Sequence, residues 1–341
     1  MTRVRGVDLA RGLALLGMLV AHLDQRLTFD TAAPATWRHL GDGRAAVLFV
    51  LVAGVSVALL SGGTRPHEGQ RLRDDRHAIF VRAAVLFVLG GLLSALGTPV
   101  AVILSAYALY FVLALPMLRT SPTVLAATGV ALAAAGPFLL ALVDQEFPRL
   151  ESTAFGQLFV GAPYPAAVWI GFFLVGIALG RTTLRPRDDV RLWAGLALGG
   201  VAIAAIGYTL APLVRDHLLT SRLPAIDPWL VMPLVEDDRS TNPFIALAAL
   251  GVSVAVFAGC LAIPAGWWTT PLESVGRAAL TIYVLHIAVY WIAIETQPTL
   301  ERGDLALALW VMASAIVGAT AWFLRFQRGP LEAALHRLSR A

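Results

Sequence analysis

Runs of apolar residues recur along the whole chain, separated by polar segments or by breaks that contain proline and glycine. A helix that crosses the hydrocarbon core of a bilayer needs about 20 mostly apolar residues, so each run is predicted to be a spanning helix. The predicted spans are 7–24, 45–61, 82–97, 100–118, 123–144, 166–180, 192–213, 243–263, 278–295 and 304–326. The pattern predicts an all-α integral membrane protein, a bundle of about ten transmembrane helices.

The composition supports a bilayer as the solvent of this chain. Hydrophobic residues make up 58% of the sequence and charged residues only 14%. A soluble domain is about 25% charged, so the polar surface here is too small to cover a water-soluble globule. We interpret the first run as an uncleaved helix and not as a signal peptide, because Asp8 and Arg11 interrupt its start.

The basic residues of the chain are all arginines, and they are concentrated between the apolar runs. With ten spans, 17 of the 26 fall on the side of the two termini, 8 fall on the opposite side, and Arg11 lies within the first span. Cytoplasmic loops carry the excess of positive charge, so both termini are predicted to lie in the cytoplasm. The net charge of +4 is therefore a topology signal, and no nucleic-acid partner is expected.

A Gly-Pro break separates a short basic tail from the last apolar run. We predict one polytopic membrane domain over 1–326 and an amphipathic tail helix over 327–341 that lies along the cytoplasmic headgroups. Cysteine and histidine show no zinc-like spacing and Cys260 stands alone, so neither a metal site nor an internal disulfide is expected. The sequence leaves the oligomeric state open, a homodimer included.

The first span carries an arginine and a histidine, Arg11 and His22, eleven positions apart. Eleven helical residues turn through about 1100°, roughly 20° beyond three turns, so both side chains point the same way and lie about 16 Å apart. Asp8 is one turn before Arg11 and can pair with it. The segment after His22 is too polar for lipid contact, which predicts a water-filled pocket that reaches down to this histidine.

One chemistry suits this spacing. An acyl-CoA keeps its charged nucleotide in the cytosol and carries its thioester at the end of a long, thin arm, whose length is on the order of the Arg11–His22 separation. Arginine is suited to phosphate, and neutral imidazole can take a proton from an acceptor hydroxyl or amine. This hypothesis requires a continuous void between the two side chains. The alternatives are an arginine that extends to the headgroups and a histidine in an interhelical hydrogen bond.

Three blocks of the sequence resemble a known family. They are "RVRGVDLARGLALLGMLVAH" at 3–22, "DGRAAVLFVLVAGVSVALL" at 42–60 and "SVGRAALTIYVLHIAVYW" at 274–291. Together with "RGPLEAALHRL" at 328–338, they are similar to bacterial YeiB-like proteins, which are relatives of heparan-α-glucosaminide N-acetyltransferase in the transmembrane acyltransferase superfamily.

The resemblance implies an enzyme of ten or eleven helices in a bacterial plasma membrane. Such an enzyme moves an acyl group, with acetyl expected, from cytoplasmic acyl-CoA to a carbohydrate or amine acceptor on the outer side. In the type 3 branch of the superfamily the arginine and histidine that match Arg11 and His22 are essential. In the lysosomal enzyme an asparagine stands at the position of His22 and the proposed catalytic histidine lies in the following loop, where this chain has His39. Both histidines therefore remain candidate bases.

The helix at 278–295 carries a second polar group. Tyr283 and His286 share one face at a spacing of three residues and are predicted to lie at the depth of His22. They are interpreted either as a second wall of the reaction centre or as a polar clamp between helices. Arg277, at the start of this helix, is a candidate for a CoA phosphate or an anchor that sets orientation.

Two further charged positions are candidates. Arg82 closes the basic loop 65–82, which is either a headgroup-binding orientation signal or a cradle for nucleotide phosphates. Asp42, before the second helix, is predicted either to orient a catalytic histidine or to pair with Arg44.

Three interpretations remain open. The first is an integral-membrane O- or N-acyltransferase that uses acyl-CoA. The alternative is a membrane transporter or export component without acyl-transfer chemistry, in which the intramembrane arginine and histidine line a proton or substrate path. A protein with only a packing or assembly role is the third interpretation.

Overall fold

The computed structural model describes residues 3–23, 41–150, 152–185, 189–220, 227–236, 241–297, 299 and 304–339. Every regular element in these ranges is a helix. The helices are α1 (Arg5–Leu23), α2 (Arg44–Leu60), α3 (Gly69–Ser94), α4 (Leu104–Ala114), α5 (Pro122–Glu146), α6 (Ala154–Phe159), α7 (Ala166–Gly180), α8 (Val190–Thr220), α9 (Pro228–Val235), α10 (Pro243–Ala262), α11 (Thr270–Arg277), α12 (Ala279–Thr296), α13 (Leu305–Phe323) and α14 (Pro330–Leu338). A 3-10 turn, Leu115–Met117, extends α4.

The predicted fold class is confirmed. Seven of the described helices, α1, α3, α5, α8, α10, α12 and α13, are long and apolar enough to cross a membrane, and shorter apolar helices occupy the other three predicted spans. The protein is therefore an integral membrane protein built from helices. The number of crossings and the side of the termini stay predictions.

The shorter helices α2 and α7 lie at the centre of the bundle. Almost every residue of α7 is buried, and α2 and α5 pack against it. A helix that is apolar on all sides suits such a position, because it meets other helices on every face. Helix α1 packs against α2 and α11, and α10, α12 and α13 complete its surroundings.

The prediction that 65–82 is a loop is wrong, because α3 already begins at Gly69. Residues 70–82 contain no proline or glycine, and side chains one turn apart within them form hydrogen bonds. Gln70 Nε2 donates to Asp74 at 2.8 Å and Arg73 Nη2 donates to Gln70 at 2.6 Å. Such contacts stabilise a charged helix outside the apolar run. Helix α8 also continues beyond its predicted end at 213, and α9 and α11 are too short to have been predicted as spans.

The tail contains α14, and this helix is fixed to the bundle. The Glu332 carboxylate accepts hydrogen bonds from Leu280 N at 2.7 Å, Thr281 N at 3.1 Å and Thr281 Oγ1 at 2.6 Å. The first amide groups of a helix have no partner within it, and negative charge is favourable there. Glu332 thus caps the helix that carries Tyr283 and His286. The division of the chain at 326 stays a prediction.

Arg181, directly after α7, joins the ends of two other helices. The buried guanidinium donates to Ala58 O and Ser61 O at 3.2 Å, to Gly63 O at 2.9 Å and to Leu118 O. Burial lowers the pKa of Arg181, the main cause being the loss of hydration. These carbonyls lie at the end of α2 and in the turn after α4, so Arg181 joins the ends of α2, α4 and α7. The predicted topology puts these three ends on the cytoplasmic side.

Replacing Arg181 with methionine is expected to lower the free energy of unfolding by about 2–4 kcal/mol, because several buried carbonyl groups lose a charged donor. Arg215→Met is the matched control, since its ion pair with Asp216 is solvent-exposed and is expected to contribute less than about 1 kcal/mol. Denaturation of both variants in the same detergent measures the difference. Equal midpoints for the two variants would show that Arg181 does not hold these helix ends.

Candidate functional site

Arg11 lies near the start of α1 and is held by three groups. Its Nη1 donates to Asp8 Oδ1 at 3.1 Å and to Gly276 O at 3.2 Å, and its Nη2 donates to Ser56 Oγ at 2.7 Å. Asp8 is also paired with Arg3. The guanidinium is therefore fixed in direction by α1, α2 and α11 together. Ser56 was not identified from the sequence, although a serine inside an otherwise apolar helix is a signal that could have indicated it.

A pocket of about 690 Å³ opens around Arg11. Its lining includes four guanidinium groups, those of Arg3, Arg11, Arg82 and Arg185. Asp8 is the one carboxylate among the described residues that line it. Positive charge is therefore in excess, and guanidinium groups bind phosphate oxygens in pairs, so the pocket has the chemistry of a polyphosphate site.

Arg277 is not among the residues that line this pocket. Its guanidinium lies 3.7 Å from the centre of the Phe323 ring, and Nη2 donates to Gln327 O at 3.1 Å. Burial, and to a smaller extent the neighbouring Arg3, lowers the pKa of Arg277. The structure thus places this arginine against α13 and the tail, and its role towards a CoA phosphate stays a prediction.

His22, near the end of α1, meets His286 of α12. His22 Nδ1 lies 3.1 Å from His286 Nε2, and the two rings are within 14° of parallel. The Tyr283 ring meets the His286 ring edge to face at 5.0 Å. His22 is 9% exposed and His286 is 1% exposed. The two histidines that the sequence placed at similar depth are therefore neighbours.

One assignment of the ring protons satisfies both histidine contacts. His286 Nδ1 lies 3.4 Å from Ile282 O, and in this assignment it carries the ring proton, because a carbonyl oxygen only accepts. His286 Nε2 then accepts from Nδ1–H of His22. This arrangement leaves Nε2 of His22 as the basic nitrogen, with its ring orientation fixed by a second histidine.

A separate pocket of about 240 Å³ reaches His22. Asp42 lines it, together with Met18, Pro163 and Tyr164. Asp42 therefore shares a pocket with His22, and its role in orienting a histidine stays a prediction. His39, the other candidate base, lies outside the described residues.

The pockets at Arg11 and at His22 share no lining residue. The stripe of α1 between the two side chains carries Leu15 and Met18, which are 0% and 2% exposed. From Arg11 to Met18 the helix rises about 10 Å. The continuous void that the sequence hypothesis required is therefore not open here, because two apolar side chains fill it.

An aromatic cluster borders the histidine pair. Phe49 stacks against Tyr107 at 5.6 Å and against Tyr283 at 6.4 Å between ring centres. The Tyr107 hydroxyl is buried and has no hydrogen-bond partner within the described ranges. Buried hydroxyl groups are usually satisfied, so this one is an unmet donor close to the candidate site.

Fold and site together define a polytopic helical membrane protein with an arginine-lined pocket and a histidine-lined pocket at the two ends of its first helix. Residues 3–207 match the family model of heparan-alpha-glucosaminide N-acetyltransferase, catalytic, and the chain belongs to this family. Residues 184–341 match the model described as protein of unknown function (DUF418). The resemblance read from the sequence is thereby confirmed. Comparisons with curated proteins and with solved structures gave no match.

The candidate site uses both matched regions. Arg11 and His22 lie in the region that matches the acetyltransferase family, whereas Gly276 and His286 lie in the second region. Family membership indicates a transferase of the acyl type. The second region supplies the backbone carbonyl that holds Arg11 and the ring that orients His22.

Proposed function

We propose that the protein is a membrane acyltransferase. Acyl-CoA, with acetyl-CoA expected from the family, binds in the Arg11 pocket, and its acyl group passes to a hydroxyl or amine of a carbohydrate or amine acceptor in the His22 pocket. The observation that carries the proposal is the placement of a four-arginine pocket and a histidine pocket at opposite ends of one helix. The arginine distribution supports a cytoplasmic Arg11 end. A bacterial plasma membrane is what the resemblance to YeiB-like proteins implies.

The donor site is assigned from charge. Three of the pocket's arginines, Arg3, Arg82 and Arg185, come from three different segments and can surround the phosphates of the nucleotide. Arg11 is the one of the four that lies in α1, and its contacts with Ser56 and Gly276 fix it in place. It is therefore the arginine best placed to receive the phosphate end of the thioester arm.

The transfer step follows from the assigned protonation of the histidine pair. Nε2 of His22 takes the proton of the acceptor, whose oxygen or nitrogen attacks the thioester carbon. The carbon–sulfur bond then breaks, and the proton on His22 goes to the leaving thiolate, so that free CoA and the acylated acceptor result. His286 accepts the Nδ1–H bond of His22 throughout and thereby stabilises the transient imidazolium.

The proposal also requires that side chains packed between the two pockets move. The thioester arm must pass Leu15 and Met18, which are packed between the pockets. Met18 lines the His22 pocket and is unbranched, and a methionine side chain adapts its shape more readily than a branched one. Binding of the nucleotide end in the arginine pocket would supply the free energy for this displacement.

Replacing Arg11 with alanine is expected to weaken CoA binding about 10- to 100-fold, because one charge-assisted phosphate contact is lost. Arg11→Lys keeps the charge but not the paired donors, and we expect an intermediate loss. Thermal stabilisation by added CoA, titrated in detergent, measures the affinity. Arg119→Ala, which removes an exposed arginine paired with Glu68, is the control and is expected to bind CoA like the wild type.

The same measurement distinguishes the transporter alternative, which the intramembrane arginine and histidine also favour. CoA that stabilises the wild type, with no stabilisation by simple sugars alone, supports the enzyme. No stabilisation by CoA, combined with uptake or efflux that depends on His22, would support transport instead.

A further inference from the structure

A larger pocket, of about 610 Å³, lies beside the His22 pocket. The second half of α5, the segment before α7 and the short helix α9 form its walls. Pro163 lines both pockets, so the larger pocket and the space that reaches His22 are adjacent at this residue. We call this larger pocket the α5–α9 groove.

The α5–α9 groove combines an apolar wall with an acidic edge. Leu140, Trp229 and Met232 are among its apolar lining residues, and Asp144 and Glu236 add two carboxylates. No arginine or histidine occurs among the described residues that line it. In the part of the chain that the structure describes, neither carboxylate has an ion-pair partner.

An independent feature also indicates a ligand in this groove. Thr241 is one of the lining residues, and its hydroxyl, which is buried within the wall, has no hydrogen-bond partner in the described ranges. A buried hydroxyl without a partner is costly, and a turn of this side chain towards a polar ligand group would satisfy it. The groove thus combines apolar surface, two carboxylates and, in its wall, a hydroxyl without a hydrogen-bond partner.

We propose that the α5–α9 groove binds a membrane-resident amphiphile that has an apolar chain and a cationic amine head. The chain would lie against Leu140, Trp229 and Met232, and the head would lie near Asp144, Glu236 and Thr241. An anionic head is disfavoured by the two carboxylates, and a free sugar would leave the apolar wall exposed to water.

The position beside Pro163 gives the amphiphile a role that rests on the proposed acyltransferase function. An acceptor held in the groove lies next to the His22 pocket, because Pro163 lines both. The groove is therefore the binding site of the acceptor, and the acceptor comes from the membrane and not from solution. A membrane source for the acceptor goes beyond the proposed function, which leaves that source open.

The test uses a long-chain alkylamine that carries a photoreactive group in its chain, applied without acyl-CoA to the full-length protein in zwitterionic lipid nanodiscs. We expect crosslinks on α5 and α9, competed by unlabelled dodecylamine and not by dodecyl phosphate. Crosslinks spread evenly over the lipid-facing helices, or equal competition by both compounds, would overturn the proposal.

Matched variants make the test specific. Ala141→Trp fills the groove, whereas Ala135→Trp adds the same ring to an exposed position of the same helix. We expect at least a tenfold loss of crosslinking for the first and no change for the second, with equal thermal stability. The Asp144→Asn, Glu236→Gln double variant should also lose about tenfold, and Asp216→Asn, an exposed carboxylate, should lose nothing.

Acyl transfer, measured separately, distinguishes failure of this inference from failure of the proposed function. Groove crosslinking without any acyl transfer would leave the amphiphile site standing and remove the proposed function. Acyl transfer that is unchanged in Ala141→Trp would support the enzyme and overturn the groove as its acceptor site.

Discussion

Replacing His22 with alanine is expected to lower the turnover number for acyl transfer by about 10²–10⁴-fold, the usual contribution of a general base. CoA affinity should change little, because the His22 pocket and the arginine-lined pocket share no lining residue. The assay is purified protein in nanodiscs with labelled acetyl-CoA and a panel of sugars and amines. A loss in turnover without a loss in CoA binding separates a role in chemistry from a role in binding.

Two histidine variants serve as comparison. His286→Ala removes the acceptor that orients His22 and is expected to cost about 10- to 100-fold, less than the loss of the base itself. His217→Ala, at an exposed position of α8, should have wild-type activity. Full activity in His22→Ala would contradict the assignment and would move the base to His39 or His286.

The helices could be predicted from the sequence because the bilayer imposes a length on every apolar run. Within one helix, geometry also determines which residues share a face, so the common stripe of Arg11 and His22 followed from their spacing. The same reasoning failed for 65–82, where charged residues extend α3 by contacts one turn apart and no apolar run marks the helix.

The contacts between helices could not be predicted, because they depend on how distant segments pack. His286 lies 264 positions after His22, and although both were predicted at the same depth, only the packing of α12 against α1 decides that the two rings meet. The spacing of Arg11 and His22 also did not predict whether a void joins them. Leu15 and Met18 are buried in the stripe between the two side chains. Arg277 shows the same limit, since its stacking on Phe323 depends on where α13 docks.

Gly276 links the packing of α1 against α11 directly to the candidate site. A Cβ atom on Gly276 would lie 1.8 Å from Asp8 O and 2.8 Å from Gly12 N. Both neighbours are backbone atoms of α1, so no side chain can move aside to make room. Helices α1 and α11 therefore touch through their backbones, and the Gly276 carbonyl reaches Arg11 at 3.2 Å because of this close approach.

Replacing Gly276 with alanine is expected to lower the free energy of unfolding by about 3 kcal/mol or more, at the upper end of the cost of overpacking. The two helices must separate, so the bond to Arg11 should break and acyl transfer should fall about 100-fold through misplacement of the donor. Denaturation in detergent and the transfer assay measure the two effects.

Gly199→Ala provides the matched control, because a Cβ atom there meets nothing within 4 Å on the exposed face of α8. That variant should be neutral or more stable by up to about 1 kcal/mol, since alanine favours the helix over glycine. If Gly276→Ala instead kept the stability and CoA affinity of the wild type, the α1–α11 contact could not be what holds Arg11. The direction of the guanidinium would then have to come from Asp8 and Ser56 alone, and the second matched region would contribute to the site only through His286.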